Sequence, residues 1–121
     1  MAKVLVVDDE PACRDATRVL LTARGHEVRA VADGREALDV AAGFQPDVAV
    51  IDWMLRSELD GIELANLFAQ QCPATRCLII SGYPNIDAAM RSRMPRGRLL
   101  CKPVAPDELL RAIEEAAAAS R

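Results

Sequence analysis

The chain has 121 residues, 51% of them hydrophobic and 27% charged, which is enough apolar content for one ordinary domain core and argues against disorder. Its net charge of −3 gives no support to broad nucleic-acid binding, and no apolar run reaches membrane-spanning length or forms a signal peptide, so a cytoplasmic domain is expected. The four cysteines, Cys13, Cys72, Cys77 and Cys101, form no C-x-x-C pair and His26 is the sole histidine, which leaves a zinc site unsupported and points to reduced thiols acting as small hydrophobes.

In chain order, "KVLVV" (3–7) is a β-branched run too short for a helix and predicts a buried strand. Three adjacent carboxylates, Asp8, Asp9 and Glu10, follow it and lead into Pro11. Ala12, Ala16, Val19, Leu20 and Ala23 then recur at helical spacing, closed by Gly25 as a C-cap signal. "EVRAV" (27–31) alternates charge and suits an exposed edge strand. Ala37, Leu38 and Ala41 form a second helical stripe, closed by Gly43. "DVAVI" (47–51) predicts a third strand followed by Asp52, and Gly61 opens a helix containing Ile62, Ala65 and Phe68. "RCLII" (76–80) predicts a fourth strand followed by Ser81. Ile86, Ala89 and Met90 after Pro84 mark a fourth helical segment. "RLLC" (98–101) predicts a fifth strand followed by Lys102. Leu109, Leu110, Ile113, Ala116 and Ala117, after Pro106 and Asp107, mark a fifth helix.

Five β-α units in succession imply an α/β fold with a parallel sheet covered by helices on both faces and joined by right-handed crossovers. With five strands a common order is 2-1-3-4-5, and ligands then bind outside the carboxyl ends of strands 1 and 3, where the winding reverses. Asp8, Asp9 and Asp52 are expected to converge there, with Ser81 and Lys102 along the same edge. Three clustered carboxylates need a raised pKa or a cation. Oxygen ligands alone suit a hard ion such as Mg²⁺, which takes one or two carboxylates plus a phosphate. A lysine ammonium suits a phosphate as a point charge, and Lys102 is one of only two lysines beside thirteen arginines. The set fits phosphoryl transfer, with a carboxylate as nucleophile. Simpler roles exist for each residue alone. Asp8 or Asp9 could cap the helix at Pro11, Glu10 suits the positive end of that helix, and Ser81 before Gly82 could be a turn residue.

Taken together, "VLVVDDEP", "PDVAVIDWML", "IISG" and "CKPV" resemble the receiver domain of two-component response regulators, of the chemotaxis-regulator type, and the resemblance spans residues 1–121 as one domain. It implies a (βα)5 flavodoxin-like fold in which Asp52 accepts a phosphoryl group from a phosphohistidine on a histidine kinase or histidine phosphotransfer protein. It further implies Mg²⁺ held by Asp9, Asp52 and the backbone carbonyl of Met54, with Asp8 acting through water. Lys102 and Ser81 would bind the phosphoryl oxygens, and the peptide before Pro103 would be cis. Such a domain is a signalling switch that catalyses only its own phosphorylation and slow dephosphorylation. It has no direct nucleic-acid or membrane contact, and its output face combines the fourth helix, fifth strand and fifth helix. Whether it stands alone or belongs to a longer chain is open.

The pattern departs from relatives in three places. Leu99 occupies the position where an aromatic ring swings inward on activation, so the switch keeps Ser81 and lacks its aromatic partner. The loop at 82–87 is then expected to move more than the fifth strand, with Tyr83 a candidate substitute. The segment "MLRSELDG" is longer than usual and lacks a proline. Met54 and Tyr83, at positions that tune water access to the phosphoaspartate, are both bulky, which implies slow dephosphorylation. Arg91, Arg93, Arg96 and Arg98 form a charge run that reads first as a solvated face and second as a docking surface for an acidic partner. Two other classes compete. A phosphatase of the haloacid-dehalogenase type would use Asp8 as nucleophile but wants an aspartate where Glu10 stands. A flavin binder wants an anion-binding loop after strand 1 rather than carboxylates.

Overall fold

The computed structural model of the protein describes residues 2–53, 55, 60–81 and 97–119. Five strands, β1 (Lys3–Val7), β2 (Glu27–Val31), β3 (Val48–Asp52), β4 (Arg76–Ser81) and β5 (Gly97–Cys101), form one parallel sheet in the order β2-β1-β3-β4-β5. Four helices are present among the described residues: α1 (Pro11–Ala23), α2 (Gly34–Phe44), α3 (Gly61–Gln71) and α4 (Pro106–Ala119). The expected helical segment around 84–90 lies outside the described residues.

Alternation along each strand divides the core in two, because successive side chains point to opposite faces. Leu5, Val7, Ala49, Ile51, Cys77 and Ile79 pack with α2 and α3 through Ala37, Ala41, Ile62, Ala65 and Phe68. Val4, Val6, Val48, Val50, Leu78 and Leu100 pack on the other side with Leu21 of α1 and Leu109, Leu110 and Ile113 of α4. Central strands β1 and β3 are buried on both faces, whereas β2, at the edge, buries only Val31 fully. Burial pushes the Cys77 thiol up to about 12, aided by nearby Cys72, so Cys77 packs as an inert apolar group.

Two helix readings need correction. On α1, Ala12, Ala16, Val19 and Ala23 are exposed, Val19 at 56%. The helix instead turns Leu21 fully inward, with Leu20 partly covered and Arg14 and Thr17 on the inner flank. Alanine loses little by facing water, so one buried leucine outweighs a stripe of three. On α2, Gly43 does not end the helix. The chain continues through Phe44, and Gln45 takes the left-handed conformation (φ 52) immediately before Pro46.

Gly25 ends α1 as expected. It adopts φ 87; its N–H donates to the Thr22 carbonyl and that of His26 to Leu21, a Schellman arrangement. Gly25→Ala adds no clash, since nothing lies within 4 Å of the added carbon, so its cost is conformational. It is expected to lose about 1 kcal/mol, seen as a lower urea midpoint with an unchanged slope. An unchanged midpoint would contradict this.

Candidate functional site

Site residues arrive at one edge of the sheet because each ends, or directly follows, a strand. Asp8 and Asp9 follow β1 and Lys102 follows β5. Asp52 and Ser81 are the last residues of β3 and β4, so both strands run one residue further than the sequence suggested. Backbone pairing extends past the strands: the N–H of Asp8 donates to Val31 (3.1 Å), that of Trp53 to Ile80 (2.9 Å) and that of Lys102 to Ser81 (2.7 Å). Asp52 pairs in register with Ile80 and Ser81 with Cys101, which sets Ser81 and Lys102 each one step beyond the neighbouring partner.

One oxygen from each of Asp8, Asp9 and Asp52 lies within 4.8 Å of the others. Lys102 Nζ donates to Asp52 Oδ2 at 3.2 Å. Asp52 is 7% exposed and Ser81 fully buried, while the Lys102 side chain stays 42% exposed. Burial raises the Asp8 pKa above its ordinary value; the Glu10 N–H, donating to Asp8 Oδ1 at 2.9 Å, opposes this, Asp52 adds to it, Lys102 opposes and Asp9 adds. Burial also disfavours charge on Lys102, but the hydrogen bond and charge of Asp52, with Asp8 behind it, prevail and hold its pKa above the ordinary value.

Neither Asp8 nor Asp9 caps α1. Glu10 is the N-cap residue, exposed and making no side-chain capping bond, and Pro11 stands at the start of the helix. The acidic cluster is therefore not explained as a helix start. Its three carboxylates offer oxygen ligands close together, a set that fits a hard divalent ion such as Mg²⁺. Leu99, opposite Ile79, is half-buried and packs on the α2–α3 side of the sheet rather than at the acidic edge. The Lys102–Pro103 peptide is cis. Met54, Tyr83, the loop at 82–87 and Arg91, Arg93 and Arg96 lie outside the described residues, as does the side chain of Arg98.

Sequence reasoning missed two supporting residues. Arg14 Nη1 donates to the Asp8 carbonyl at 3.0 Å and braces the acidic turn from α1. Gly61 N–H donates to the Trp53 carbonyl at 3.1 Å, next to Asp52. The D-x-x-E pattern of Asp60 and Glu63 was a readable sign of a helix start nearby. Nothing local signalled the Arg14 contact, which depends on how α1 docks.

A 2-1-3-4-5 sheet with clustered aspartates and a lysine at its carboxyl edge defines the class of phosphorylation-type signalling domains. The chain belongs to the response regulator receiver domain family, whose family model matches residues 4–114. It is 33% identical over 115 residues to the response regulator MprA of Mycolicibacterium vanbaalenii, covering 89% of this chain and 47% of that protein. It is 32% identical over 116 residues to the nitrogen assimilation regulatory protein NtrX of Azorhizobium caulinodans, covering 93% of this chain and 25% of that one. The chain thus spans about half, or a quarter, of these relatives. Among solved structures, the signal receiver domain of a modulated diguanylate cyclase from Desulfovibrio desulfuricans G20 superposes with a TM-score of 0.84 at 34% identity, covering 99% of this chain and 96% of that one. These matches give the phosphatase alternative no support. Among the described residues no helix is long and apolar enough to cross a membrane.

Proposed function

We propose that residues 1–121 form one receiver domain in the cytoplasm, phosphorylated on Asp52 by a phosphohistidine of a histidine kinase or histidine phosphotransfer protein. The observation that carries this is the nearly buried Asp52, 3.2 Å from the Lys102 ammonium and within 4.8 Å of Asp8 and Asp9. In the reaction an Asp52 oxygen attacks phosphorus, the P–N bond to the donor imidazole breaks, and the imidazole leaves with a proton. Asp9, Asp52 and the Met54 carbonyl would hold Mg²⁺, with Asp8 supporting it through water. The ion supplies charge neutralisation at the transferring phosphoryl group.

In this reading Lys102 pairs with the phosphoryl oxygens once they sit on Asp52, and Ser81 donates its hydroxyl to them. The domain's own chemistry ends with its phosphorylation and slow hydrolysis, and Met54 and Tyr83 are the residues proposed to slow that hydrolysis. With Leu99 in place of an aromatic ring, the conformational response is assigned to Ser81 and the segment after it, more than to β5. Contacts that differ between the two states are what shift such an equilibrium.

Incubation with a small phosphodonor such as acetyl phosphate and Mg²⁺, followed by mass-spectrometric mapping, tests the reading. Label on Asp52 that disappears with a chelator is expected. Label on Asp8 instead, or none at any Mg²⁺ concentration, rejects it.

A further inference from the structure

The first turn of α3 reaches the backbone beside the phosphoacceptor. The Trp53 carbonyl accepts from Leu55 N–H (3.0 Å) and from Gly61 N–H (3.1 Å), while Trp53 N–H is tied to Ile80 of β4 (2.9 Å). A Cβ on Gly61 would lie 2.7 Å from Trp53 Cα, 2.8 Å from the Asp52 carbonyl oxygen and 3.2 Å from Trp53 N. All three are backbone atoms, so a rotamer change cannot relieve the overlap. The strand end or the helix start has to shift by several tenths of an ångström.

The helix start is itself held. Asp60 Oδ1 accepts from Glu63 N–H at 2.8 Å, and Glu63 Oε1 accepts from Asp60 N–H at 3.2 Å, a closed capping box around Gly61. Glycine is not needed here for its conformational range, since Gly61 is an ordinary helical residue and its φ is not positive. The need is for closeness.

We infer that Gly61 is a positioning residue for the acidic site: the bare backbone at the start of α3, locked by the Asp60–Glu63 box, sets where the Asp52–Trp53 peptide lies and so where the Asp52 carboxylate stands relative to Asp8 and Asp9. Those two aspartates hang from β1 and Lys102 from the end of β5, so they do not follow a displacement of the β3 end. The inference rests on the Mg²⁺-binding reading above.

Its test is Mg²⁺ affinity of the whole chain, titrated through the emission of Trp53, the only tryptophan. Gly61→Ala is expected to weaken Mg²⁺ binding about tenfold, the scale of losing a residue that orients metal ligands. Ile113→Val, in the core on the opposite face of the sheet, lowers stability without touching the β3 end and is expected to keep wild-type affinity. Should Gly61→Ala fail to fold, Asp60→Ala loosens the same turn without adding an atom at position 61, and a severalfold weaker affinity is expected. Wild-type affinity in a folded Gly61→Ala or in Asp60→Ala, or an equal loss in Ile113→Val, overturns the positioning role alone. A wild-type protein that does not bind Mg²⁺ overturns the functional reading and this inference with it.

Discussion

Replacing Asp8 and Asp9 together with asparagine is expected to abolish Mg²⁺-dependent phosphorylation and, in metal-free buffer at neutral pH, to raise the thermal midpoint. The two effects have one cause. Burial and the neighbouring Asp52 and Asp9 raise the Asp8 pKa, so its ionisation is more costly in the folded protein than in the unfolded chain. The folded state then holds its proton more tightly, and stability falls as pH climbs from the ordinary value of 3.8 through the raised one. Above that window the full penalty remains, and asparagine, which keeps the oxygen that accepts from Glu10 N–H, removes it. Each kcal/mol relieved corresponds to roughly 3–6 °C in a chain of this length. The gain should shrink toward zero as pH drops below 3.8, and excess Mg²⁺ should reverse the order by stabilising only the wild type. A midpoint that falls, or a gain that does not depend on pH, would remove carboxylate repulsion as the cause.

Lys102→Met should move stability the other way. It removes the ammonium 3.2 Å from the nearly buried Asp52 carboxylate, and losing one member of a half-buried pair forfeits their attraction. The exposed lysine head discounts the loss to about 1 kcal/mol. Because Asp52 raises the pKa of this ammonium, its stabilisation is in place at neutral pH and is lost as pH rises from the ordinary 10.5 through the higher folded value. With the competing positive charge gone, Mg²⁺ is expected to bind more tightly. Transfer from a small phosphodonor should nonetheless slow on the order of a hundredfold, because the proposed neutralisation of the transferring oxygens by Lys102 is lost. The split is the diagnostic: a variant that loses Mg²⁺ affinity and transfer in parallel would place Lys102 in metal binding rather than against the phosphoryl group.

Much of this architecture is readable in single residues. "KVLVV" and "EVRAV" begin and end as predicted, because β-branched runs of five admit little else. The gathering of Asp8, Asp9, Asp52, Ser81 and Lys102 at one edge was legible since each marks a strand end, and a doubly wound sheet sends those ends to one edge. The α1 stripe misled because alanine carries the helical period without demanding burial, while adjacent Leu20 and Leu21 leave the phase open. Gly43 misled because glycine is tolerated inside a helix where nothing crowds it; Pro46 was the better stop signal. Arg14 and Gly61 act through the docking of helices onto strand ends, and no local pattern encodes that distance.

The ladder that runs past the strand ends has a consequence for how the molecule comes apart. Asp52 and Lys102 pair across 50 positions of chain, and Asp8 joins them from a third strand. No fragment short of the assembled β1-β3-β4-β5 array presents the site. A ligand bound there acts as a clasp on the whole sheet, opposing global unfolding while leaving the fraying of β2 and the outer turns of α1 untouched.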